Sequence, residues 1–291
     1  MGQKTNSTIL NLSLKNAEWE SKYIEKNTEE SSVFLYKNIE IRNYLNRIFK
    51  VHGLSIQNCK IEYSLTTAQF FITFFEIKTD TKKLYTKIDS KEIIVFNNSK
   101  NLIKYLVNQV IAIDLNLFLN NKTIIFKIQN LNEKFDVLIN TSKTNLLEYK
   151  SIIKQFRKFL KTSSFKELIK ILFISICEKD SAKLLAEAVA RNFSKQKKQH
   201  GFLLFLLKRV LEKVINSPFS IVNGVKIVIS GRFNGAPRAN KKIIMVGKVP
   251  LQSFDSTISY YEETSYTLNG TFGIKVWISE KVTIIYYVST T

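Results

Sequence analysis

Glycine, proline, cysteine and histidine are all scarce in this chain of 291 residues, which holds nine glycines, three prolines, two cysteines and two histidines. Each shortage closes off a class of explanation. Cys59 and Cys177 are too few and too far apart for a disulfide framework or a thiolate metal cluster, and both are expected to be buried, reduced thiols. His52 and His200 have no cysteine or carboxylate at ligand spacing, which leaves them as surface or satisfied core residues. No P-loop, nucleophile elbow or metal motif occurs. Glu262 and Glu263 are adjacent, so in a strand they would point to opposite faces, and a solvated turn is the reading adopted for them. With no convergent acid–base pair, neither an enzyme activity nor a cofactor is expected. The longest clean apolar run is Phe202 to Leu207, so no segment is expected to span a bilayer. Met1 to Asn6 contain no apolar signal core and no Arg-rich amphipathic stretch, so no targeting presequence is visible.

Acidic residues are the remaining shortage. Only 24 Asp and Glu oppose 44 Lys and Arg, for a net charge of +20 and a pI near 9.7. At 45% apolar and 23% charged residues the chain is otherwise an ordinary globular mixture, long enough for two domains with packed cores. The positive excess therefore points to a polyanionic partner. Phosphate backbones suit it because each neutralised phosphate releases condensed counterions, a favourable and salt-dependent contribution. Lys, Asn, Ile, Phe and Tyr crowd the sequence, as they do when a genome drifts towards AT-rich codons, and an organelle genome fits that bias.

Glu40 to Lys50 reads as one amphipathic helix, because Ile41, Tyr44, Leu45, Ile48 and Phe49 recur at helical spacing and Gly53 follows as a stop. Ile56–Ser64 and Gln69–Lys78 read as a strand pair, Thr79–Lys87 as a polar connection, and Ile93–Phe96 as a further strand. A second helix is expected through Leu102, Ile103, Leu106, Val110 and Ile113, and a strand over Thr123–Ile128. The order helix, strand, strand, helix, strand is the one a type II KH RNA-binding domain would produce, as would other folds. Phe70, Phe71, Phe74 and Phe75 are expected in the core: Phe71 and Phe75 share one strand face with Thr73, while Phe70, Ile72 and Phe74 share the other, and both faces read as buried. Trp19 and Trp277 read as packing anchors. Asn130 to Ser151 is polar without firm periodicity and reads as a connection or insertion, after which helical patterning runs from Ile152 to about Ile215. Beyond Asn216 most of the glycines punctuate short β-forming runs (Val225–Ile229, Ile243–Val246, Ile258–Tyr261, Ile274–Ile278, Val282–Val288), so an antiparallel sheet is expected. The fold class is α+β, divided as an N-terminal arm over 1–39, a KH-like domain over 40–129, a linker with a basic helix over 130–178 and a C-terminal domain over 179–291.

Two stretches carry the candidate chemistry. Between Lys150 and Lys213 sixteen basic residues oppose five acidic ones, with the densest knot at Lys195, Lys197 and Lys198. Self-repulsion on that scale favours an RNA contact over a merely solvated helix face. The second is Ser230-Gly231-Arg232-Phe233-Asn234-Gly235-Ala236-Pro237-Arg238, followed at once by Lys241 and Lys242. Two glycines frame an exposed turn, which lets backbone amides and the guanidinium groups of Arg232 and Arg238 approach phosphates closely.

Asn223-Gly224-Val225-Lys226-Ile227 to Arg232, then Gly247-Lys248-Val249-Pro250-Leu251, then Gly273-Ile274-Lys275-Val276-Trp277-Ile278 occur in the order seen in the C-terminal domain of small-subunit ribosomal protein S-three. The start Met1-Gly2-Gln3-Lys4, the trio Trp19, Ser21 and Tyr23, and the helix Ile41-Arg42-Asn43-Tyr44-Leu45 resemble the same family. Asp180-Ser181-Ala182-Lys183-Leu184-Leu185, Lys197-Lys198-Gln199-His200-Gly201-Phe202 and Gln129-Asn130-Leu131-Asn132 resemble its mitochondrial members. The resemblance implies a structural protein in the head of the small ribosomal subunit of a mitochondrial ribosome, in the matrix. Its implied partners are small-subunit rRNA, mRNA in the entry channel and neighbouring head proteins, with no membrane and no homo-oligomer. The implied RNA-binding residues are Lys4, Arg191, Lys195, Lys197, Lys198, Lys208, Arg209, Arg232, Arg238, Lys241, Lys242 and Lys248. Two departures stand out. The family's KH domain carries a GxxG loop, whereas no glycine lies between Leu54 and His200, so a degenerate KH fold is expected; Gly270-Thr271-Phe272-Gly273 reads as a hairpin turn instead. Leu203 to Leu207 is apolar where bacterial relatives place arginines that grip mRNA, although Lys208 and Arg209 keep basic positions of the pattern. A free-standing RNA chaperone or splicing factor, and a nucleic-acid-cleaving enzyme, remain the alternatives.

Overall fold

The computed structural model describes residues 6, 8–9, 19–77, 84–88, 92–96, 105–119, 122–141, 143–156, 163–196, 200–217, 220–254 and 256–281. Two compact units result, one spanning Glu18–Leu138 and the other Ile139–Thr291 with Met1–Ala17. The chain is α+β throughout, with helices laid against sheets in each unit.

In the first unit a two-residue strand, β1 (Ser21–Lys22), precedes helix α1 (Glu30–Val51), which starts well before the expected Glu40. The early start has a packing cause: Phe34 turns inward to stack on Tyr23 at 4.8 Å and to meet Tyr63 at 5.5 Å. The stripe Asn38, Ile41, Leu45 and Phe49 is buried, and Gly53, at φ 72°, ends the helix. Strands β2 (Leu54–Tyr63) and β3 (Thr67–Glu76) pair antiparallel around a bulge between Ile56 and Asn58. A small hairpin follows, β4 (Leu84–Ile88) with β5 (Glu92–Phe96), so part of the stretch read as a polar connection is a strand. One π-helical turn (Leu106–Ile111) then continues as α2 (Ala112–Phe118), and β6 (Thr123–Asn130) closes the sheet parallel to β3, in the order β1-β2-β3-β6. Ile41, Leu45 and Phe49 pack with Ile61, Phe70, Ile72 and Phe74 of the sheet and with Ile111 and Leu115. The Tyr44 hydroxyl donates to the Asp114 carboxylate and ties α1 to α2.

Two packing expectations need correction here. Only the Phe70, Ile72, Phe74 face of β3 is buried along its length; on the other face Phe75 is buried, while Phe71 is half-exposed with the Lys127 ammonium 4.7 Å from its ring. Trp19 is 58% exposed rather than buried as a packing anchor would be. Asn130 also ends β6 differently from expectation. Its side-chain oxygen accepts the Asn132 N–H at 3.0 Å, as a helix cap does, and α3 (Leu131–Thr141) begins there, followed by α4 (Lys143–Phe156). Leu131 and Phe135, four residues apart, supply the buried stripe that a scan for longer periodicity passes over.

In the second unit α5 (Ser163–Cys177), α6 (Ala182–Lys195) and α7 (His200–Ile215) precede the antiparallel sheet β8-β7-β10-β9. Its strands are β7 (Val222–Gly231), β8 (Asn240–Gly247), β9 (Ile258–Thr267) and β10 (Gly270–Glu280). The expected strand over Val282–Val288 lies outside the described residues. Helices α6 and α7 cover one face, where Val225, Ile227, Ile229, Phe272, Ile274, Val276 and Ile278 meet Leu185, Val189, Phe193, Leu207 and Val210. The Ser265 hydroxyl adds a tie across that seam, donating to the Ala190 carbonyl at 2.8 Å. Glu262 and Glu263 lie inside β9 rather than in a turn, paired with Lys275 and Ile274. Cys59 is buried but Cys177 only half-buried, and burial, helped by Glu178, pushes the Cys177 thiol up to about 12.

Gly224 and Gly247 meet where two segments of the second unit cross. A β-carbon on Gly224 would lie 2.6 Å from the Lys248 backbone, and one on Gly247 would lie 2.2 Å from the Asn223 carbonyl. The chain after β8 thus crosses the start of β7 backbone to backbone, with the Lys248 N–H donating to the Asn223 carbonyl at 3.3 Å.

Candidate nucleic-acid interface

Helix α7 turns His200, Leu203, Leu206, Leu207, Val210, Leu211 and Val214 inward, which leaves Phe205, Lys208, Arg209 and Lys213 on its outer side. Phe205, counted as apolar filling in the sequence, is 51% exposed, and the Arg209 guanidinium carbon lies 5.4 Å over its ring. Its sequence signal is position: it falls off the buried stripe and stands four residues before Arg209. Lys208 faces Glu212 at 4.0 Å, a solvent-exposed pair of small energetic weight.

Lys195 ends α6 and is exposed, followed by Gln196 in an extended conformation. Lys197 and Lys198, the rest of the basic knot, lie outside the described residues, as does Lys4. Arg191 behaves differently from its neighbours. It sits beside Glu187 at 3.9 Å, and Glu167 and Glu263 act on it as well; burial lowers its pKa while the three carboxylates raise it. Such surroundings occupy Arg191 inside the protein.

The turn after β7 is tightly built. A β-carbon on Gly231 would meet Phe272 at 2.3 Å, so glycine lets the strand end lie flat on that ring. Asn234 and Gly235 take left-handed backbone at φ 55° and 77°, and the Arg232 Nε closes the turn by donating to the Ala236 carbonyl at 2.8 Å. Arg232 and Arg238 are both exposed, and the closing bond leaves the terminal nitrogens of Arg232 for another acceptor. Lys241 and Lys242 follow on the edge strand β8, paired with Ser230 and Ile229, so they project to opposite faces of the sheet. Lys248 is exposed just beyond the crossing of Gly224 and Gly247.

The sheet face away from the helices carries a cross-strand row of Met245, Lys226, Trp277 and Tyr260, with Lys226 5.3 Å from the Trp277 ring and the Tyr260 ring tilted against it at 5.1 Å. Lys226 was not among the expected binding residues; it also lines a shallow cleft with Val249, Pro250 and Leu251. Glu262 on this face accepts the Tyr260 hydroxyl at 2.8 Å and pairs with Lys275 at 3.4 Å, contacts that hold its carboxyl below the usual range. Among the described residues no group of three His, Cys, Asp or Glu is arranged to hold a metal ion, and no helix is long and apolar enough to cross a membrane.

The charge is unevenly placed. Residues 139–291 hold 25 Lys and Arg against 10 Asp and Glu, while residues 18–138 hold 17 against 14. Fixed cations on α7, at the end of α6 and on the β7–β8 turn suit the binding of a phosphate-bearing chain, in which most contacts go to the backbone.

Comparison with known proteins meets the same region. Residues 205–278, from α7 to β10, match the family described as ribosomal protein S3, C-terminal domain. The small ribosomal subunit protein uS3 of Ziziphus jujuba witches'-broom phytoplasma is 30% identical over 160 residues, covering 53% of this chain and 60% of that protein. The uS3 protein of Dictyoglomus turgidum is 32% identical over 149 residues, 50% of this chain and 57% of that protein. The uS3c protein of Tetradesmus obliquus is 35% identical over 113 residues, 38% of this chain and 15% of that protein. The chain thus spans at most 60% of the length of these curated relatives. Helix α7 and the sheet that follows it are thus similar to the C-terminal domain of ribosomal protein S3.

Proposed function

We propose that this protein is a structural constituent of the small ribosomal subunit of a mitochondrial ribosome, held in the subunit head by ribosomal RNA and forming part of the wall where mRNA enters. The observation that carries this reading is the coincidence of two independent features: the stretch similar to ribosomal protein S3 lies in the unit that holds most of the positive excess. A polyanion contact is what that excess favours, and a ribosomal site provides phosphates on every side. In this reading Lys195, Lys208, Arg209, Arg232, Arg238, Lys241, Lys242 and Lys248, with Lys4, Lys197 and Lys198, meet phosphates of rRNA or mRNA, neighbouring head proteins complete the site, and no reaction is assigned.

The first unit is proposed to be a KH-like module whose order α1, β2, β3, α2, β6 supports it, with the β4–β5 hairpin inserted between β3 and α2. No glycine is available for a GxxG loop, so this module serves as a packed support rather than a nucleic-acid clamp. The divisions proposed are an arm over 1–39, a KH-like domain over 40–129, a linker over 130–178 and the S3 domain over 179–291, with helix α1 of the KH-like module reaching back across the first boundary to Glu30.

Gradient sedimentation of a tagged full-length chain expressed in its own organelle tests the reading. Co-migration with the small subunit at moderate salt is the expected result, with release at high salt. Recovery only in ribosome-free fractions rejects it in favour of a free-standing RNA chaperone or splicing factor, and RNA cleavage by the pure protein would favour an enzyme.

A further inference from the structure

His200 belongs to none of the basic positions considered so far, yet it stands at the root of two of them. It opens α7 and is 1% exposed, stacked on Phe193 at 5.3 Å and bounded by Phe272 at 5.1 Å and Phe233 at 6.2 Å. The Asn234 backbone N–H points at its Nδ1 from 3.1 Å, and because a backbone N–H only donates, Nδ1 is the acceptor. The ring proton of the neutral imidazole therefore sits on Nε2, which donates to the Gln196 carbonyl at 3.0 Å. A return bond runs from the His200 backbone N–H to the Asn234 side-chain oxygen at 3.4 Å. One buried ring thus joins the residue after Lys195 to the left-handed core of the Arg232–Arg238 turn.

Among the described residues the other backbone hydrogen bonds of the two segments are local, such as Gln196 N–H to the Phe193 carbonyl at 3.3 Å. Within the turn, Ala236 N–H returns to the Phe233 carbonyl and Arg232 closes on Ala236, both local bonds that shape the turn without aiming it. Aim comes from the aromatic cage and the two imidazole bonds. We infer that His200 is a positioning residue for polyanion binding: it sets the Arg232–Arg238 turn against the end of α6, so that Lys195, Arg232 and Arg238 are presented to a phosphate backbone in one fixed arrangement. This rests on the RNA-binding reading above, and it adds that affinity depends on a group that touches no nucleic acid. Preorganised cations bind better than mobile ones because less freedom is lost on binding.

The test uses the full-length protein in three forms beside wild type. His200→Phe keeps a ring in the cage and removes both imidazole bonds; His200→Gln restores one donor and one acceptor; Asn234→Gly keeps the left-handed backbone and removes only the return bond. Two readouts are taken, binding to a fluorescent hairpin RNA and the rate of tryptic cleavage after Arg232 and Arg238 relative to cleavage after Lys60. His200→Phe is expected to weaken RNA binding about tenfold and to speed cleavage in the turn, as the loss of two buried hydrogen bonds implies. His200→Gln recovers most of both, and Asn234→Gly falls between. Wild-type affinity and wild-type turn cleavage in a folded His200→Phe protein overturn the inference. A loss of affinity that follows a lowered melting temperature, with no selective cleavage in the turn, overturns it as well. Should His200→Phe fail to fold, His200→Leu, which also removes both imidazole bonds, decides by the same two readouts. If wild type ignores RNA altogether the function reading falls, whereas the cleavage arm still decides what the histidine holds.

Discussion

The two units share a plan, helices on one face of a four-stranded sheet, and differ in almost everything that fills it. Residues 18–138 build a mixed sheet with parallel pairs β1–β2 and β3–β6, whereas residues 139–291 build a purely antiparallel one. Gly53 is the only glycine of the first unit, while six glycines fall between Gly224 and Gly273 in the second. Charge divides along the same line, near balance in the first and strongly positive in the second. Surplus charge of one sign works against a compact unit through self-repulsion, a cost that the second unit carries and the first largely avoids.

The largest expected effect tests the second unit's dependence on its core. Phe272→Ala should remove about 3–5 kcal/mol of stability, since the ring is fully buried among Phe193, Phe233 and His200. Denaturant unfolding measures it, and a loss near zero would mean that the aromatic cage contributes little.

Next comes the charge contrast. Replacing Lys195, Arg232 and Arg238 together by Ala should flatten the logarithmic salt dependence of RNA binding by about two to three, whereas replacing Lys60 and Lys127 of the first unit should change it by less than about one. Equal slopes for the two variants would erase the distinction between the units.

A pair of glycine substitutions sharpens the backbone contrast within one unit. Gly224→Ala drives a β-carbon into the Lys248 backbone and should destabilise by about 1–3 kcal/mol. Gly201→Ala meets nothing within 4 Å at the start of α7 and should stabilise by about 0.5–1 kcal/mol. Thermal melts that move in the same direction for both would contradict the crossing of the two chain segments.

The smallest effect concerns Glu280, which is buried and accepts the Asp180 N–H at 2.9 Å. Burial raises its pKa, with the Asp180 N–H pulling the other way. The folded state therefore holds its proton to higher pH than the unfolded chain, so stability falls as pH rises from the unfolded value through the folded one. Glu280→Gln keeps an acceptor for Asp180 and should remove that loss; a pH–stability profile identical to wild type would show that the carboxyl is not strained by burial.

Much of the architecture was legible beforehand because it is written in local periodicity. The Ile41, Leu45, Phe49 stripe, the strand pair around residues 64–66 and the antiparallel strands beyond Asn216 all follow from repeats of 3.6 and 2. Helix α3 was not legible, since its start rests on the Asn130 cap and only Leu131 and Phe135 of its apolar residues are buried; of α4 only the end beyond Ile152 was read as helical. The candidate interface was legible as a quantity of charge and not as a surface. Spacing of four residues places Arg191 near Glu187 and Arg209 near Phe205, but only the fold adds Glu167 and Glu263 around Arg191.

Composition, charge, element order and the glycine-led blocks needed no coordinates, because each is a property of neighbouring residues or of the whole chain's sum. The role of Gly224 against Lys248, the pairing of Lys241 and Lys242 with Ser230 and Ile229, and the hold of His200 on Asn234 needed the tertiary structure. Each joins residues well separated in the sequence; periodicity tells which way a side chain points from its own backbone and says nothing of what lies across from it.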